Sequence, residues 1–235
     1  MPTTRTESIA PSYAATIVAP DDANGNGIVL YQEIFGVNEF VLAKATALAD
    51  LGYVVLCPDV FWRVQPGATF GSDDAAMQEA FGVAQRYGSE VADADKLDDL
   101  TSAVRHLRTL PEVTGKVAAM GYCLGGTLAY RTAANADVDA CVSYYGSGVA
   151  DLLASGDRPA CPTIFHFGGQ DPYLPQEQVE AVRTGFSGRD DVEIHVQPGA
   201  GHAFENFLAP QFSNPDAAAV SWPLTVEFLA TSLGT

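Results

Sequence analysis

The sequence predicts an α/β fold in which a mainly parallel central sheet carries helices on both faces. Short, almost wholly apolar runs such as Tyr53–Pro58 and Val117–Tyr122 are typical of strands buried on both faces, as parallel strands are. Longer segments with helical periodicity separate these runs, which indicates crossover connections. A length of 235 residues and a hydrophobic share of 47% suffice for one well-packed domain.

The elements of the first half follow from turn and capping signals. The turn-rich segment 21–26 joins two strands, Asn38 is a candidate N-cap, and Gly52 ends the helix that Asn38 starts. Aspartates early in the segment from Asp93 suit the start of a helix, where the helix dipole favours negative charge. The predicted strands are 13–19, 27–32 and 53–58, and the predicted helices lie between 38 and 52, at 73–86 and at 93–110.

The second half continues the alternation. A helix of small residues follows one strand, and a polar loop around Ser155, Gly156 and Asp157 separates two others. The predicted strands are 117–122, 140–145, 162–167 and 192–196, and the predicted helices are 125–134, 175–186 and 216–229. We therefore predict a single domain over residues 1–235, with residues 1–12 as a candidate disordered tail.

The charge excludes several classes of partner. Twelve Lys and Arg against 29 Asp and Glu give a net charge of −17, which repels nucleic-acid phosphates and anionic lipid surfaces. No apolar run is long enough for a transmembrane helix, and residues 1–8 lack the apolar segment of a secretory signal. The four cysteines form no CxxC pair, so we expect free thiols, a cytoplasmic location and no metal site.

A candidate nucleophile follows the strand Val117–Tyr122. The segment Gly121–Gly126 reads Gly-Tyr-Cys-Leu-Gly-Gly and opens a helix, which is the setting of a nucleophile elbow with cysteine in the usual place of serine. Glycines at both flanks permit the sharp turn that strains the backbone of the nucleophile. The positive end of the helix dipole favours the thiolate of Cys123. The alternative is a glycine-rich turn that contains a buried cysteine.

Two further residues complete a triad in chain order. Asp171 comes just after one predicted strand, and His202 lies in the loop after the next. Nucleophile, acid and histidine in this order, each at the carboxyl end of a strand, are typical of α/β-hydrolases. Competing residues have poorer settings: Asp157 lies in a polar loop, and the other histidines fall inside predicted elements, namely His106, His166 and His195.

Six segments of the chain match one enzyme family. They are Gln32-Glu33-Ile34-Phe35-Gly36-Val37-Asn38, Cys57-Pro58-Asp59, Gly121–Gly126, Ser143-Tyr144-Tyr145-Gly146, and the segments of Asp171 and His202. From about Tyr13 onward the sequence resembles the dienelactone hydrolases (carboxymethylenebutenolidases), which are cysteine-containing α/β-hydrolases, and the first and third segments together are highly specific for them. The resemblance implies the α/β-hydrolase fold and hydrolysis of a lactone or small carboxylic ester, with no metal or organic cofactor.

The resemblance also implies roles for individual residues. Cys123 is the expected nucleophile, His202 the base and later the acid, and Asp171 the residue that orients the imidazole. Glu33 is expected to hold the resting thiol through a hydrogen bond. A carboxylate beside a thiol raises the pKa of the thiol and keeps it protonated until the substrate binds. The alternative for Glu33 is a carboxylate that caps the helix starting near Asn38.

Further residues are candidates for binding the reacting groups. The elbow supplies the backbone N–H of Leu124 to an oxyanion. The loop that follows the predicted strand 27–32 supplies a second backbone N–H, which we expect to be that of Ile34. Tyr144 matches an aromatic residue that lines the pocket in the family, although a strand tyrosine is as often a core residue. We add Phe35, Phe204 and Arg63 as candidate substrate-binding residues.

One position departs from the family pattern. Dienelactone hydrolases resemble one another in an arginine four residues after the catalytic histidine, where it pairs with the substrate carboxylate. Here Asn206 occupies that place and Glu205 precedes it. We expect an acidic cleft mouth that disfavours anionic lactones.

The sequence thus predicts a cysteine-dependent hydrolase whose partner is a small ester or lactone, active as a monomer or a small homo-oligomer. A generic carboxylesterase or a thioesterase is the alternative within the same chemistry. Two alternatives lie outside it: a hydrolase-like binding protein with an inactive triad, and a redox-sensing thiol at Cys123.

Overall fold

A computed structural model describes residues 1–235, which form eight strands and seven helices. The chain divides into two compact units, Met1–Val117 and Ala118–Thr235. Strands and helices alternate and most of the strand pairs described below are parallel, which confirms the predicted α/β class. None of the helices combines the length and the hydropathy that a membrane crossing requires.

The first unit contains four strands and three helices. Strand β2 pairs antiparallel with β1 and with β4, whereas β3 pairs parallel with β4, in the order β1-β2-β4-β3. The two strands joined by the segment 21–26 are therefore not neighbours, because β4 lies between them. The elements are β1 Thr3–Ala10, β2 Tyr13–Ala19, β3 Gly27–Tyr31, α1 Glu39–Asp50, β4 Val54–Pro58, α2 Asp74–Glu90 and α3 Asp93–Leu107.

The N-terminal residues correct one expectation. Residues 3–10 form strand β1 and pair along their length with β2, so residues 1–12 are not a disordered tail. Glu7 accepts a hydrogen bond from Arg5 of the same strand, and it ties the strand to α3 because it lies 3.0 Å from the imidazole of His106. The strand was missed because it is an edge strand rich in polar residues, which carries no apolar run.

The start of helix α1 follows the predicted capping signal. The side chain of Asn38 accepts a hydrogen bond from the backbone N–H of Val41, which satisfies one donor of the first turn. Gly52 follows the helix with a φ of +96°, a left-handed conformation that glycine adopts without strain. The helix therefore begins and ends where the sequence predicts, within one or two residues.

The second unit contains the fully parallel half of the strands. Strands β5, β6, β7 and β8 pair parallel in chain order. A helix was missed here, since the segment predicted as a polar loop around Ser155 includes the end of the short helix α5, which Gly156 terminates at a φ of +104°. The elements are β5 Val117–Tyr122, α4 Leu124–Asn135, β6 Ala140–Tyr144, α5 Val149–Ser155, β7 Thr163–Gly168, α6 Gln176–Gly185, β8 Val192–Gln197 and α7 Pro215–Leu233.

Alternate residues of β7 contact helices on opposite faces. Phe165 and Phe167 belong to an apolar cluster with residues of α5 and α6. His166, between them, lies 2.9 Å from the hydroxyl of Thr225 on α7. Since successive side chains of a strand point to opposite faces, helices cover both faces of this unit, as predicted.

A buried carboxylate fixes the loop after β4 to helix α3. Asp99, which is 8% exposed, accepts hydrogen bonds from the indole of Trp62 and from two nitrogens of Arg63, at 3.1, 2.7 and 2.9 Å. The guanidinium also stacks on the Trp62 ring, and that ring stacks on Tyr13 of β2. One side chain thus satisfies donors from two neighbouring residues of the loop.

We predict that Asp99→Ala lowers the free energy of unfolding by about 2 kcal/mol, because it leaves a partly buried guanidinium and an indole N–H without their acceptor. Urea denaturation measures this change. The matched control is Asp98→Ala on the same helix, where the ion pair with Arg105 is exposed and a change within about 0.5 kcal/mol is expected. Equal effects of the two substitutions would contradict the assignment.

Candidate active site

Strand β5 and helix α4 hold Cys123 in a strained turn. Its backbone angles are φ 55° and ψ −118°, a conformation that is rare for any residue with a β-carbon. The N–H of Cys123 donates to the carbonyl of Tyr144 on β6 at 3.0 Å, and its carbonyl accepts from Gly126 and Thr127 in the first turn of the helix. These bonds hold the strained residue from both sides.

The flanking glycines are required by close backbone contacts. A β-carbon at Gly121 would lie 2.1 Å from the carbonyl oxygen of Gly125, and one at Gly126 would lie 2.4 Å from the carbonyl oxygen of Tyr144. No side chain fits at these distances, so only glycine permits the turn. The nucleophile-elbow geometry predicted for Gly121–Gly126 is therefore present.

The sulfur, the imidazole and a carboxylate form a continuous chain of contacts. Nε2 of His202 lies 3.0 Å from Sγ of Cys123, and Nδ1–H of His202 donates to Oδ2 of Asp171 at 2.7 Å. His202 and Asp171 are buried, and Cys123 is half-buried. The structure thus brings together the three residues that the chain order of the motifs predicted.

The loops that carry Asp171 and His202 lie back to back. The N–H of Gly169 donates to the carbonyl of Gln197, and that of Gln170 donates to the carbonyl of Ala200, both within 2.9 Å. The other oxygen of Asp171 accepts the N–H of Tyr173 at 2.8 Å. Both the position and the rotation of the carboxylate are thereby fixed.

The surroundings of His202 favour its charged form. Burial alone lowers the pKa of the imidazole, but the charge of Cys123 and the hydrogen bonds to Asp171 and Cys123 outweigh it and raise the pKa above the usual value. The contact with Sγ and the raised pKa suit His202 to take up the proton of the Cys123 thiol. A thiolate with an imidazolium beside it can attack an electrophilic carbon, and the imidazolium can then protonate a leaving group.

Two tyrosines that the sequence analysis missed enclose the imidazole. The ring of Tyr145 lies 5.2 Å from that of His202, and the ring of Tyr173 lies 5.1 Å from it in an edge-on arrangement. Tyr145 directly follows β6 and has a φ of 40°, while Tyr173 follows Asp171 by two residues. Their positions next to strand ends were the available signal.

Two predicted substrate-binding residues lie in the core instead. Tyr144 is fully buried, and its hydroxyl lies 2.6 Å from that of Thr225 on α7. Phe204 is also fully buried and packs against Tyr145, with ring centroids 5.2 Å apart. Neither ring is exposed to a ligand, so both support the site from behind. Tyr145, the next residue along the chain, is equally buried, and its ring contacts that of His202.

The candidates in the first unit have varied settings. Arg63 is held by Asp99 and is not left open for a substrate carboxylate, which corrects its expected role. Glu33 and Phe35 are buried just after β3, and Ile34 between them is half-buried. The role of Glu33 as a restraint on the thiol and that of Ile34 as an oxyanion donor therefore stay predictions.

The expected acidic mouth requires a correction as well. Glu205 is 3% exposed and accepts a hydrogen bond from the hydroxyl of Ser221 on α7. Asn206 is buried, and its side-chain oxygen accepts the N–H of Leu208. Glu205 thus points into the protein, so its charge does not line an exposed mouth. The departure from the family pattern at Asn206 therefore removes a positive charge from the site but adds no exposed negative charge.

Comparisons with known proteins extend over the whole chain. The model of the dienelactone hydrolase family matches residues 13–233. Proteins named carboxymethylenebutenolidase from Pseudomonas putida and Pseudomonas knackmussii are each 34% identical over 220 residues, which cover 93% of this chain and 91% of each relative.

Among solved structures, a dienelactone hydrolase-like promiscuous phosphotriesterase from metagenomic libraries superposes with a TM-score of 0.81, covering 99% of this chain and 98% of that chain at 23% identity. At this identity the likeness shows the fold alone, and it agrees with the strand and helix order described above. Another structural neighbour is described as an alpha/beta hydrolase. The chain shares the fold of that hydrolase and belongs to the dienelactone hydrolase family.

Proposed function

We propose that the protein hydrolyses a lactone or a small carboxylic ester through a triad of Cys123, His202 and Asp171. The observation that carries the proposal is the position of His202, whose two ring nitrogens contact the sulfur of Cys123 and the carboxylate of Asp171. The relatives named carboxymethylenebutenolidase support lactones as substrates.

The proposed reaction has two steps. The Cys123 thiolate attacks the acyl carbon, a thioester forms, and the His202 imidazolium gives its proton to the leaving oxygen. Water, activated by the neutral imidazole, then attacks the thioester, and the acid and the thiolate are released. The backbone N–H of Leu124 begins helix α4 and has no intrahelical partner, which suits it to stabilise the oxyanion. The N–H of Ile34 is the proposed second donor.

We propose a substrate that carries no carboxylate close to the bond that is hydrolysed. The family arginine is replaced by Asn206, and Arg63, the one cation predicted to bind the substrate, is bound by Asp99. A substrate carboxylate would therefore lack the counter-ion expected in the family. A generic carboxylesterase, acting on neutral esters, is the second candidate, and the same absence of a cation favours it. A cytoplasmic location remains part of the proposal.

Replacing the nucleophile tests the mechanism. We expect Cys123→Ala to lower kcat/KM for phenyl acetate and for a neutral lactone at least about 1,000-fold, because no thioester forms. Initial rates on the purified protein measure the loss. Cys161→Ala is the matched control, because Cys161 is also a free, half-buried thiol. It precedes β7, whereas Asp171 follows that strand, so the two lie at opposite ends of β7. Activity that survives in Cys123→Ala would rule out the triad.

The charge coupling within the triad is separately measurable. We expect the pKa of His202 to fall in Cys123→Ala, because the charge and the hydrogen bond of the sulfur, which raise that pKa, are removed while the burial that lowers it remains. Titration of the ring nitrogens by ¹⁵N NMR gives both values. His166 serves as an internal reference, because burial and the nearby His195 lower its pKa to about 3 in either protein. An unchanged pKa of His202 would contradict the coupling between the imidazole and the sulfur.

Glu33 is the proposed restraint on the thiol. If its carboxylate holds the resting sulfur in the protonated form, Glu33→Gln lowers the pKa of Cys123 and raises the rate of alkylation by iodoacetamide at pH 7 several-fold. Mass spectrometry of the modified peptide follows the rate. Glu39→Gln, which changes an exposed carboxylate in the first turn of α1, is the control. A rate that is unchanged or reduced would count against this role.

A further inference from the structure

The reaction geometry determines where a leaving group departs. In the proposed function, on which this inference rests, His202 protonates the leaving oxygen, and its Nε2 lies 3.0 Å from the Cys123 sulfur. When the acyl carbon is bonded to the sulfur, the leaving oxygen must lie within hydrogen-bond distance of Nε2. The alcohol portion of an ester then lies on the side of the imidazole. The surroundings of His202 therefore decide which alcohols fit.

An open cavity of about 370 Å³ lies beside His202. Tyr173 forms one wall, with half of the residue exposed and its ring edge-on to the imidazole. Phe212 adds a second aromatic ring, and Pro172 and the segment 211–214 complete the lining. Cys123 does not line the cavity. The acyl portion of a substrate, which is bonded to Cys123, therefore lies outside the cavity, and only the alcohol portion reaches into it.

The walls of this cavity are held by hydrogen bonds. The N–H of Tyr173 donates to Asp171, and the N–H of Phe212 donates to the carbonyl of Ala209 at 2.9 Å. The side-chain amide of Asn214 donates to the carbonyl of Gly199 at 3.1 Å, which joins the segment 211–214 to the loop of His202. Because the walls are fixed before binding, a ligand loses little free energy to ordering them.

The lining is uncharged apart from His202. No Asp, Glu, Lys or Arg side chain takes part, although the chain as a whole carries a net charge of −17. An anionic leaving group would find no cation here and would be repelled by the protein's overall field. Two aromatic rings with neutral amide and hydroxyl groups suit an uncharged aromatic group, and the volume is that of a small-molecule site.

We infer that this cavity is the leaving-group subsite, that it takes an uncharged aromatic alcohol, and that Tyr173 determines this specificity. Esters of one acid with different alcohols pass through the same thioester on Cys123. They differ only in binding and in the steps up to the departure of the alcohol, so their relative kcat/KM reports on the leaving-group subsite.

The experiment compares benzyl acetate with methyl acetate. We expect the wild type to prefer benzyl acetate, and Tyr173→Ala to reduce the benzyl-to-methyl ratio of kcat/KM about 10-fold, whereas Tyr173→Phe retains it. Phe207→Ala is the matched control, because Phe207 is an exposed aromatic residue outside the cavity lining and its loss should leave the ratio unchanged. Use of the ratio cancels any general disturbance of His202.

The outcomes separate this inference from the function on which it rests. Equal loss of both esters in Tyr173→Ala overturns the subsite, while hydrolysis that still requires Cys123 upholds the proposed function. If the wild type hydrolyses neither these two esters nor phenyl acetate nor the neutral lactone, the proposed function fails and the inference fails with it. If it hydrolyses only phenyl acetate or the lactone, saturation-transfer NMR with benzyl alcohol decides. Binding that Tyr173→Ala abolishes supports the subsite, whereas binding that is absent or insensitive to Tyr173→Ala overturns it.

Discussion

The close approach of two backbone segments at Gly121 and Gly125 is the constraint on which the site depends. A β-carbon at Gly121 would lie only 2.1 Å from the carbonyl oxygen of Gly125, so no residue other than glycine fits at position 121. The turn forces Cys123 into a strained conformation, which costs about 1–3 kcal/mol and persists only because neighbouring bonds hold it. The sulfur thereby stands clear of the strand, at the start of a helix and within reach of His202.

The remaining parts of the site adapt to that fixed sulfur. The loop of Asp171 and the loop of His202 share backbone hydrogen bonds, so the acid and the base move as one piece. Tyr145 and Tyr173 flank the imidazole and restrict its tilt. His202 is only 8% exposed in this setting, and partial removal from water strengthens its interaction with the sulfur. Positioning and electrostatics therefore arise from one set of contacts.

The sequence predicted those parts of the fold and site that depend on local chemistry. The elbow at Cys123 was predictable because its glycines have no substitute, and the triad because each member follows a strand. Strand β1 was not, since an edge strand needs no apolar alternation. The contact of Tyr145 with the ring of His202 also escaped prediction, because it depends on which face of the sheet each residue at the strand end points to. The burial of Glu205 depends on a partner 16 residues away.

Helix α7 determines where the loop of His202 lies. Ser221 binds the loop through Glu205, and one helical turn further on Thr225 contacts His166 in the strand beneath. A rotation of the helix by one residue, about 100°, would therefore break its contacts with the loop and with the strands at the same time. The base therefore holds its working position only while residues 215–233 are docked. The triad thus depends on a helix that contributes no residue to it.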